Sequence, residues 1–520
     1  MNHILSDLEP KEVFHYFEEI CAIPHGSTNT KKISDYLVSF AKEQKLRYIQ
    51  DDTNNVIIFK DGSKGYESSA PVMLQGHMDM VCEKETGCEI DFQTDGLSLE
   101  LKDGIISAKG TTLGGDDGIA VAYMLAILAS DTIPHPPLEA VFTVDEEIGM
   151  LGAAALDCSP LKSRIMLNMD SEDEGHLLVS CAGGVTATAH LPYLKTTKEG
   201  IPATLSIKGL LGGHSGVEID KGRANANMLL GRTLYQLSKA LYFDLVSVEG
   251  GSKDNAIPRE ATAKLLFTKE QDYSAAAEHI SRLEEIYQRE YHATDAGITL
   301  SLTLGHSAQK FSASGNSGSN AAIAASTDSA DTGNVATSTK DKLTKVSALN
   351  GETTEKIITA LVTLPNGIQK MSHDIEGLVQ TSLNLGILQT KEREITFSFA
   401  VRSNVSTEKE ELTDRISCLM ETLGGNVTLS GDYPAWEYKK DSPLRELMVS
   451  IFEKQYGKKP VIEALHAGVE CGLFAGKMEE LDCVSFGPDM KDIHTPKESM
   501  DVESVRRTWE YTLEILKNLK

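Results

Sequence analysis

Residues 118–129 read Gly-Ile-Ala-Val-Ala-Tyr-Met-Leu-Ala-Ile-Leu-Ala, a helix-forming run that is apolar around its whole circumference. A helix with no polar side cannot lie on a surface; it needs a sheet beneath it and further chain above it. The neighbouring sequence supplies that sheet. Residues 55–59, 71–74, 138–144 and 164–169 are short apolar runs separated by helical patterns, one of which opens at residues 9–17. That alternation predicts an α/β layer structure.

After about residue 185 the texture changes. Residues 185–191 and 203–207 alternate apolar and polar side chains, and 223–240 form a long amphipathic pattern, as in an antiparallel sheet covered on one side by helices. The α/β texture returns near residue 433, with helices expected over 443–456 and 502–519. A chain of 520 residues exceeds what one core organises. The expected architecture is therefore a discontinuous α/β domain, residues 1–185 and 433–520, with an α+β domain inserted at 186–432. Within the insertion, about 308–345 reads as a flexible segment: residues 311–340 are almost wholly Ser, Ala, Thr, Gly and Asn, too poor in apolar side chains to offset their ordering entropy.

Fifty basic against 76 acidic residues leave a net charge of -26, which repels nucleic acid and anionic membranes and argues against both as partners. No apolar stretch reaches the length of a membrane span. Residues 1–10 lack the basic start and apolar core of a signal peptide, and the eight cysteines include no CxxC pair. A cytoplasmic protein with reduced thiols is expected. Cys82 reads as a buried structural thiol in preference to a zinc ligand.

Polar residues cluster where the apolar runs stop. His77 and Asp79, two apart after the 71–74 run, fall on one strand face, where the carboxylate can hold the imidazole in one tautomer. Such a pair alone is more often a satisfied polar couple than a metal site. The loop 110–118, Gly-Thr-Thr-Leu-Gly-Gly-Asp-Asp-Gly, looks like a phosphate loop but has no Lys, and Asp116 and Asp117 would repel phosphate. They suit a cation. One strand ends in Asp145-Glu146-Glu147 and another in Asp170, and acids at the close of buried strands are costly unless paired or bound to metal. In an open α/β sheet the carboxyl ends of the strands share one edge, where ligands bind. The loop 487–498 adds His494 before the last helix.

The runs LQGHMDMVCEK, GTTLGGDDGIA, TVDEEIGMLGA, LNMDSEDEG, KGLLGGHSG, NAIP, LHAGVECGLF and DIHTPKE, in this order, resemble the bimetallic aminoacyl-histidine (Xaa-His) dipeptidases of the co-catalytic zinc exopeptidase and aminoacylase group. The resemblance spans nearly the whole chain except the Ser/Ala-rich segment. It implies two divalent ions, zinc first, with manganese or cobalt also acceptable to such ligands. His77 and Asp170 would bind one ion, Glu147 and His494 the other, and Asp116 both. Asp79 would orient His77, and Glu146 would be the general base toward a water activated by the ions.

His214 resembles the group that stabilises the oxyanion, commonly in the active site of a partner subunit. Asn255 and Arg402 resemble residues that hold the substrate's carbonyl and terminal carboxylate. His466 and Glu470 fall where substrate termini are recognised, Glu470 as a receiver of a free amino group; His466 also competes with His494 as a ligand. The implied protein is a homodimer, joined through its inserted lid domain, that cleaves unblocked dipeptides. A deacylase of N-acyl amino acids uses the same metals and base, and a metal-binding protein without activity is a third reading.

Overall fold

A computed structural model describes residues 4–305 and 343–520. The Ser/Ala-rich segment read as flexible lies outside the described residues as far as 342, and Thr344 already begins a strand, Thr344–Leu349.

The apolar helix forms over Gly115–Ala129, with every residue from Gly118 to Leu128 buried. It packs between helix Lys11–Cys21 and strand Val72–His77. Gly76 makes this possible: a Cβ there would lie 2.8 Å from Ala120 Cβ and 2.5 Å from Asp117 Oδ2, so any larger residue would push the helix off the sheet.

The sheet beneath has eight strands in the order Arg47–Gln50, Val56–Lys60, Leu138–Thr143, Val72–His77, Ile165–Asn168, Asp482–Ser485, His176–Cys181, Val461–Leu465. Alternate residues along Val72–His77 serve two cores: Val72 and Leu74 join the core under the apolar helix, and Met73 joins the core on the other face. Strands Leu138–Thr143, Val72–His77, Ile165–Asn168 and Asp482–Ser485 run parallel, so their carboxyl ends share one edge. Arg47–Gln50 and Val56–Lys60 pair antiparallel, making the sheet mixed. The strands from the far end of the chain enter its middle and its edge, so the fold closes only with both chain ends in place.

Between residues 183 and 433 an insertion domain forms a ten-stranded antiparallel sheet. Val185, Ala187, Ala189 and Leu191 point into a core shared with helices Ala226–Ser238, Glu270–Glu290, Gly351–Thr363 and Ser406–Thr422. The intervening residues of the same sheet, among them Thr186, Thr188, Ser398 and Arg402, form a polar face.

A further sheet, which no local pattern announced, has the order Met490–Lys491, Ser499–Asp501, Ile105–Ala108, Leu99–Lys102. It lays the 490–501 segment against the hairpin that precedes the glycine-rich loop. That pairing delivers His494 to the sheet edge.

Candidate metal centre

Each apolar parallel strand stops at the shared edge, and the next few residues turn over it. His77 ends its strand, Asp145, Glu146 and Glu147 follow Thr143, Asp170 follows Asn168, and the segment bearing His494 follows Ser485. Asp116 arrives from the loop that opens the apolar helix. Asp145 and His494 both hold the left-handed backbone conformation, with φ of 55° and 60°, which is uncommon outside glycine and is tolerated where surrounding structure enforces it.

Two ligand clusters meet at Asp116. His77, Asp116 and Asp170 present donor atoms within 4.8 Å of one another, and so do Asp116, Glu147 and His494. His77 Nε2 stands 3.0 Å from Asp116 Oδ1 and 3.8 Å from Asp170 Oδ1. His494 Nε2 stands 3.1 Å from Asp116 Oδ2 and 3.0 Å from Glu147 Oε2. Asp116 thus turns one oxygen to each cluster. A third grouping, His77 with Glu146 and Glu147, lies on the same side.

Among the described residues no Lys or Arg forms an ion pair with any of these acids. The imidazoles therefore bear the compensation alone. His77 is pushed down by burial, yet Asp116, Asp79 and Asp170 outweigh that and hold its pKa well above the ordinary value. Hydrogen bonds to Asp116 and Glu147 lift His494 to about 10. Burial first, then Glu470, Glu147 and Asp116, lifts Glu146 to about 8 against the pull of His77. Burial raises Asp170 as well. Carboxylates massed at low dielectric with imidazoles, and with no Lys or Arg ion pair among the described residues, are a donor set that fits divalent ions.

Asp79 sits differently from the expected arrangement. His77 Nδ1 donates to the backbone carbonyl of Asp79 at 3.0 Å, while the Asp79 carboxylate stays 3.5 Å away. The carboxylate instead accepts Ser27 Oγ at 2.9 Å and the backbone N–H groups of Glu146 at 3.1 Å and Glu147 at 3.4 Å. It fixes the turn that brings both glutamates to His77, so the structure does not separate a metal-facing from a substrate-facing glutamate. The His77 tautomer is still set, with Nε2 left free to face Asp116.

Two residues support the site in ways the sequence did not indicate. Asp117, read with Asp116 as suited to a cation, joins no metal grouping among the described residues; it is fully buried, and its Oδ2 accepts the His77 backbone N–H at 3.2 Å. Gln75, on the same strand face as His77, takes an Asn168 Nδ2 donor at 2.6 Å and itself donates to Thr143 and Glu470. Spacing by two from His77 was the signal for Gln75. Nothing separated Asp117 from its neighbour Asp116.

The remaining predicted residues lie toward the insertion domain, except Glu470. Glu470 is fully buried below the sheet edge; its Oε2 accepts from Gln75 and Thr143, and its Oε1 has no partner. His466 lies at the junction of the two sheets, with Nε2 2.7 Å from Ser382 Oγ and Nδ1 3.3 Å from Asn404 Oδ1. Burial and the charge of Arg402 push it down to about 3. It is therefore neutral, and it stands away from the Asp116 clusters that His494 joins.

Arg402 lies within strand Glu394–Ser403, donates from Nη1 to Tyr433 Oη at 2.8 Å, and has a buried Nε without a partner. His214 Nδ1 accepts the backbone N–H groups of Gly216 and Val217 at 3.1 and 3.2 Å, which assigns its ring proton to Nε2 in the neutral form. His214 and Asn255 line one cavity of about 870 Å³. None of His214, Asn255, Arg402 and His466 forms a hydrogen bond or ion pair with the Asp116 clusters among the described residues. Cys82, expected to be buried, is exposed and belongs to neither cluster, because its strand has ended and the chain runs outward there.

Comparison with known proteins agrees in class. The model of "Peptidase family M20/M25/M40" matches residues 73–518. The "Cytosol non-specific dipeptidase" of Escherichia coli (strain K12) is 33% identical over 520 residues, covering 99% of each chain. The crystal structure of an aminoacylhistidine dipeptidase from Vibrio alginolyticus superposes with a TM-score of 0.86 at 34% identity, covering 99% of this chain and 97% of that one. The aminopeptidase PepT of Bacillus cereus ATCC 10987 shares the fold at a TM-score of 0.52 and 15% identity, covering 98% and 99%.

Proposed function

The chain belongs to peptidase family M20/M25/M40, and from that premise we propose that it is a metal-dependent dipeptidase of the aminoacylhistidine type. The observation that carries this reading is Asp116, which turns one carboxylate oxygen to each of two His-and-carboxylate clusters. His77 and Asp170 would hold one ion, Glu147 and His494 the second, with Asp116 shared. Zinc suits this mixture of imidazole and carboxylate, and manganese or cobalt would also enter it. Bound there, two divalent ions supply Lewis acidity to the scissile carbonyl and to the attacking water.

The protein groups do the rest. Glu146 takes the proton of the attacking water and returns it to the leaving amine nitrogen. The Nε2–H of His214 donates to the carbonyl oxygen as its negative charge grows. Arg402 presents a planar fork to the terminal carboxylate, and Asn255 holds the substrate's carbonyl. Neutral His466 adds a polar wall beside Arg402. Glu470 would receive the substrate ammonium where substrate binding uncovers its buried, unpartnered Oε1, which would distinguish an unblocked dipeptide from an acylated one. The Escherichia coli relative is named for the cytosol, and all eight cysteines here are free thiols, so we place the protein in the same compartment.

β-Alanyl-histidine and its N-acetyl form, assayed side by side, test the substrate class. The free dipeptide should be cleaved at least ~10²-fold faster, because a site that pairs a polar group rejects the analogue lacking it. A chelator should abolish cleavage and added zinc restore it. Glu470→Gln should raise KM for the dipeptide and narrow the gap. Equal rates on both substrates would make the protein a deacylase instead.

The loop carrying His214 packs against Asn255 and the His466 backbone and forms no hydrogen bond or ion pair with the metal clusters among the described residues, and we read the protein as a homodimer in which that loop serves the partner. His214→Ala and Glu146→Gln, each inactive alone, should then regain activity when co-expressed, since a mixed dimer contains one complete site. Full inactivity of the mixture would show that His214 acts within its own chain.

A further inference from the structure

Glu498 has no part in the reading above, yet it lies between the two halves of the metal centre. Its side chain is buried at 3% exposure and forms no ion pair with a cationic group among the described residues. Instead it crosses to the glycine-rich loop. Oε2 accepts the backbone N–H groups of Leu113 at 2.8 Å and Gly114 at 3.2 Å; Oε1 accepts those of Gly115 at 2.8 Å and Asp116 at 3.4 Å. Successive amides wrapped around one carboxylate form an anion nest, here filled by a side chain of the same protein.

The position of Glu498 gives the clamp its meaning. It follows His494 by one tight turn, closed by Glu498 N–H to Thr495 O at 3.0 Å and by Thr495 Oγ1 to Asp492 O at 2.7 Å. The loop it grips ends on Asp116. The two ligands are 378 positions apart in sequence, yet His494 Nε2 sits 3.1 Å from Asp116 Oδ2. The His494 side chain is 45% exposed and, among the described residues, its ring bonds only to Asp116 and Glu147, so little else fixes where it stands.

We propose that Glu498 is a positioning residue that sets the separation of Asp116 and His494 and thereby decides whether the Asp116, Glu147 and His494 cluster retains its ion. This rests on the reading that those three residues hold a metal. Only a carboxylate of this length can do it. Glutamine offers one acceptor oxygen and would turn its NH₂ against two of the amides, leaving buried donors unpaired. Aspartate keeps the charge but falls short of the loop.

The test uses the full chain stripped of metal and titrated with zinc by calorimetry, in wild type, Glu498→Gln and Glu498→Asp. A control is Glu139→Gln: Glu139 also clamps amides, those of Lys162 and Ser163, but at the opposite end of its strand. Wild type should take up two equivalents. In both Glu498 variants the first equivalent should bind nearly as in wild type and the second about 10–100-fold more weakly, as for other residues that hold a ligand in place. Turnover should fall with KM little changed and recover in excess zinc. Glu139→Gln should lower the melting temperature and leave both zinc affinities intact.

Loss of melting temperature in the Glu498 variants with both affinities preserved would overturn the proposal and make Glu498 a structural brace. Fewer than two equivalents in wild type would overturn the metal reading itself. Should Glu498→Gln not fold, Glu498→Asp decides alone.

Discussion

Asp116→Ala should leave a folded protein that retains neither ion, with dipeptide hydrolysis reduced to background. The two clusters share no other residue, so deleting this side chain removes Oδ1 from beside His77 and Oδ2 from beside His494 together. The loss of turnover should exceed the roughly 10²–10⁴-fold that a general base alone contributes. His77→Ala and His494→Ala, by contrast, should each lose one ion. Metal analysis after gel filtration separates these outcomes, and wild-type metal content in Asp116→Ala would end the shared-ligand reading. The stripped variant should melt below stripped wild type, because against burial His494 and His77 hold the Asp116 carboxyl well below the usual carboxylate range, and its removal leaves the buried His77 imidazole without that partner.

Glu146→Gln should keep both ions and lose turnover by about 10²–10⁴-fold, with KM altered little. The substitution preserves shape and removes only the capacity to accept and return a proton. The geometry makes the experiment discriminating, because Glu146 also lies within one grouping with His77 and Glu147 and is placed to be a ligand itself. Loss of an ion in Glu146→Gln would assign it that role. Unchanged turnover would remove it from the chemistry altogether. The backbone at Glu146 is held by Asp79 in either case, so the turn should survive the change.

What the sequence revealed follows a physical division. Strands Val72–His77, Leu138–Thr143 and Ile165–Asn168 were legible because burial on both faces leaves an unbroken apolar run, and the helix over the sheet because it has no polar side. The acids after those runs were legible because buried strands rarely end in unpaired charge. Contacts without periodicity were not. The short pairing of Ser499–Asp501 with Ile105–Ala108 joins segments nearly the length of the chain apart, and neither segment carries a pattern that names the other. The same holds for Glu498 and the amides it grips. Asp79 was legible as a partner of His77, but the pattern could not tell its carbonyl, which holds the imidazole, from its carboxylate, which holds the glutamate turn. Glu470 illustrates a last limit: its position in a motif carried no hint of its complete burial.

The shared edge of the sheet also has a consequence for how the protein is made. The residues proposed as its ligands are drawn from position 77 through to position 494, and strand Asp482–Ser485 must slot in beside Ile165–Asn168 before the last of them can arrive. A growing chain lacks both that strand and the Glu498 clamp on the Asp116 loop, so it has nothing to complete the second cluster until synthesis is almost over. Loading with both ions belongs to the finished polypeptide, and a fragment ending short of His494 would be a peptidase with its chemistry half assembled.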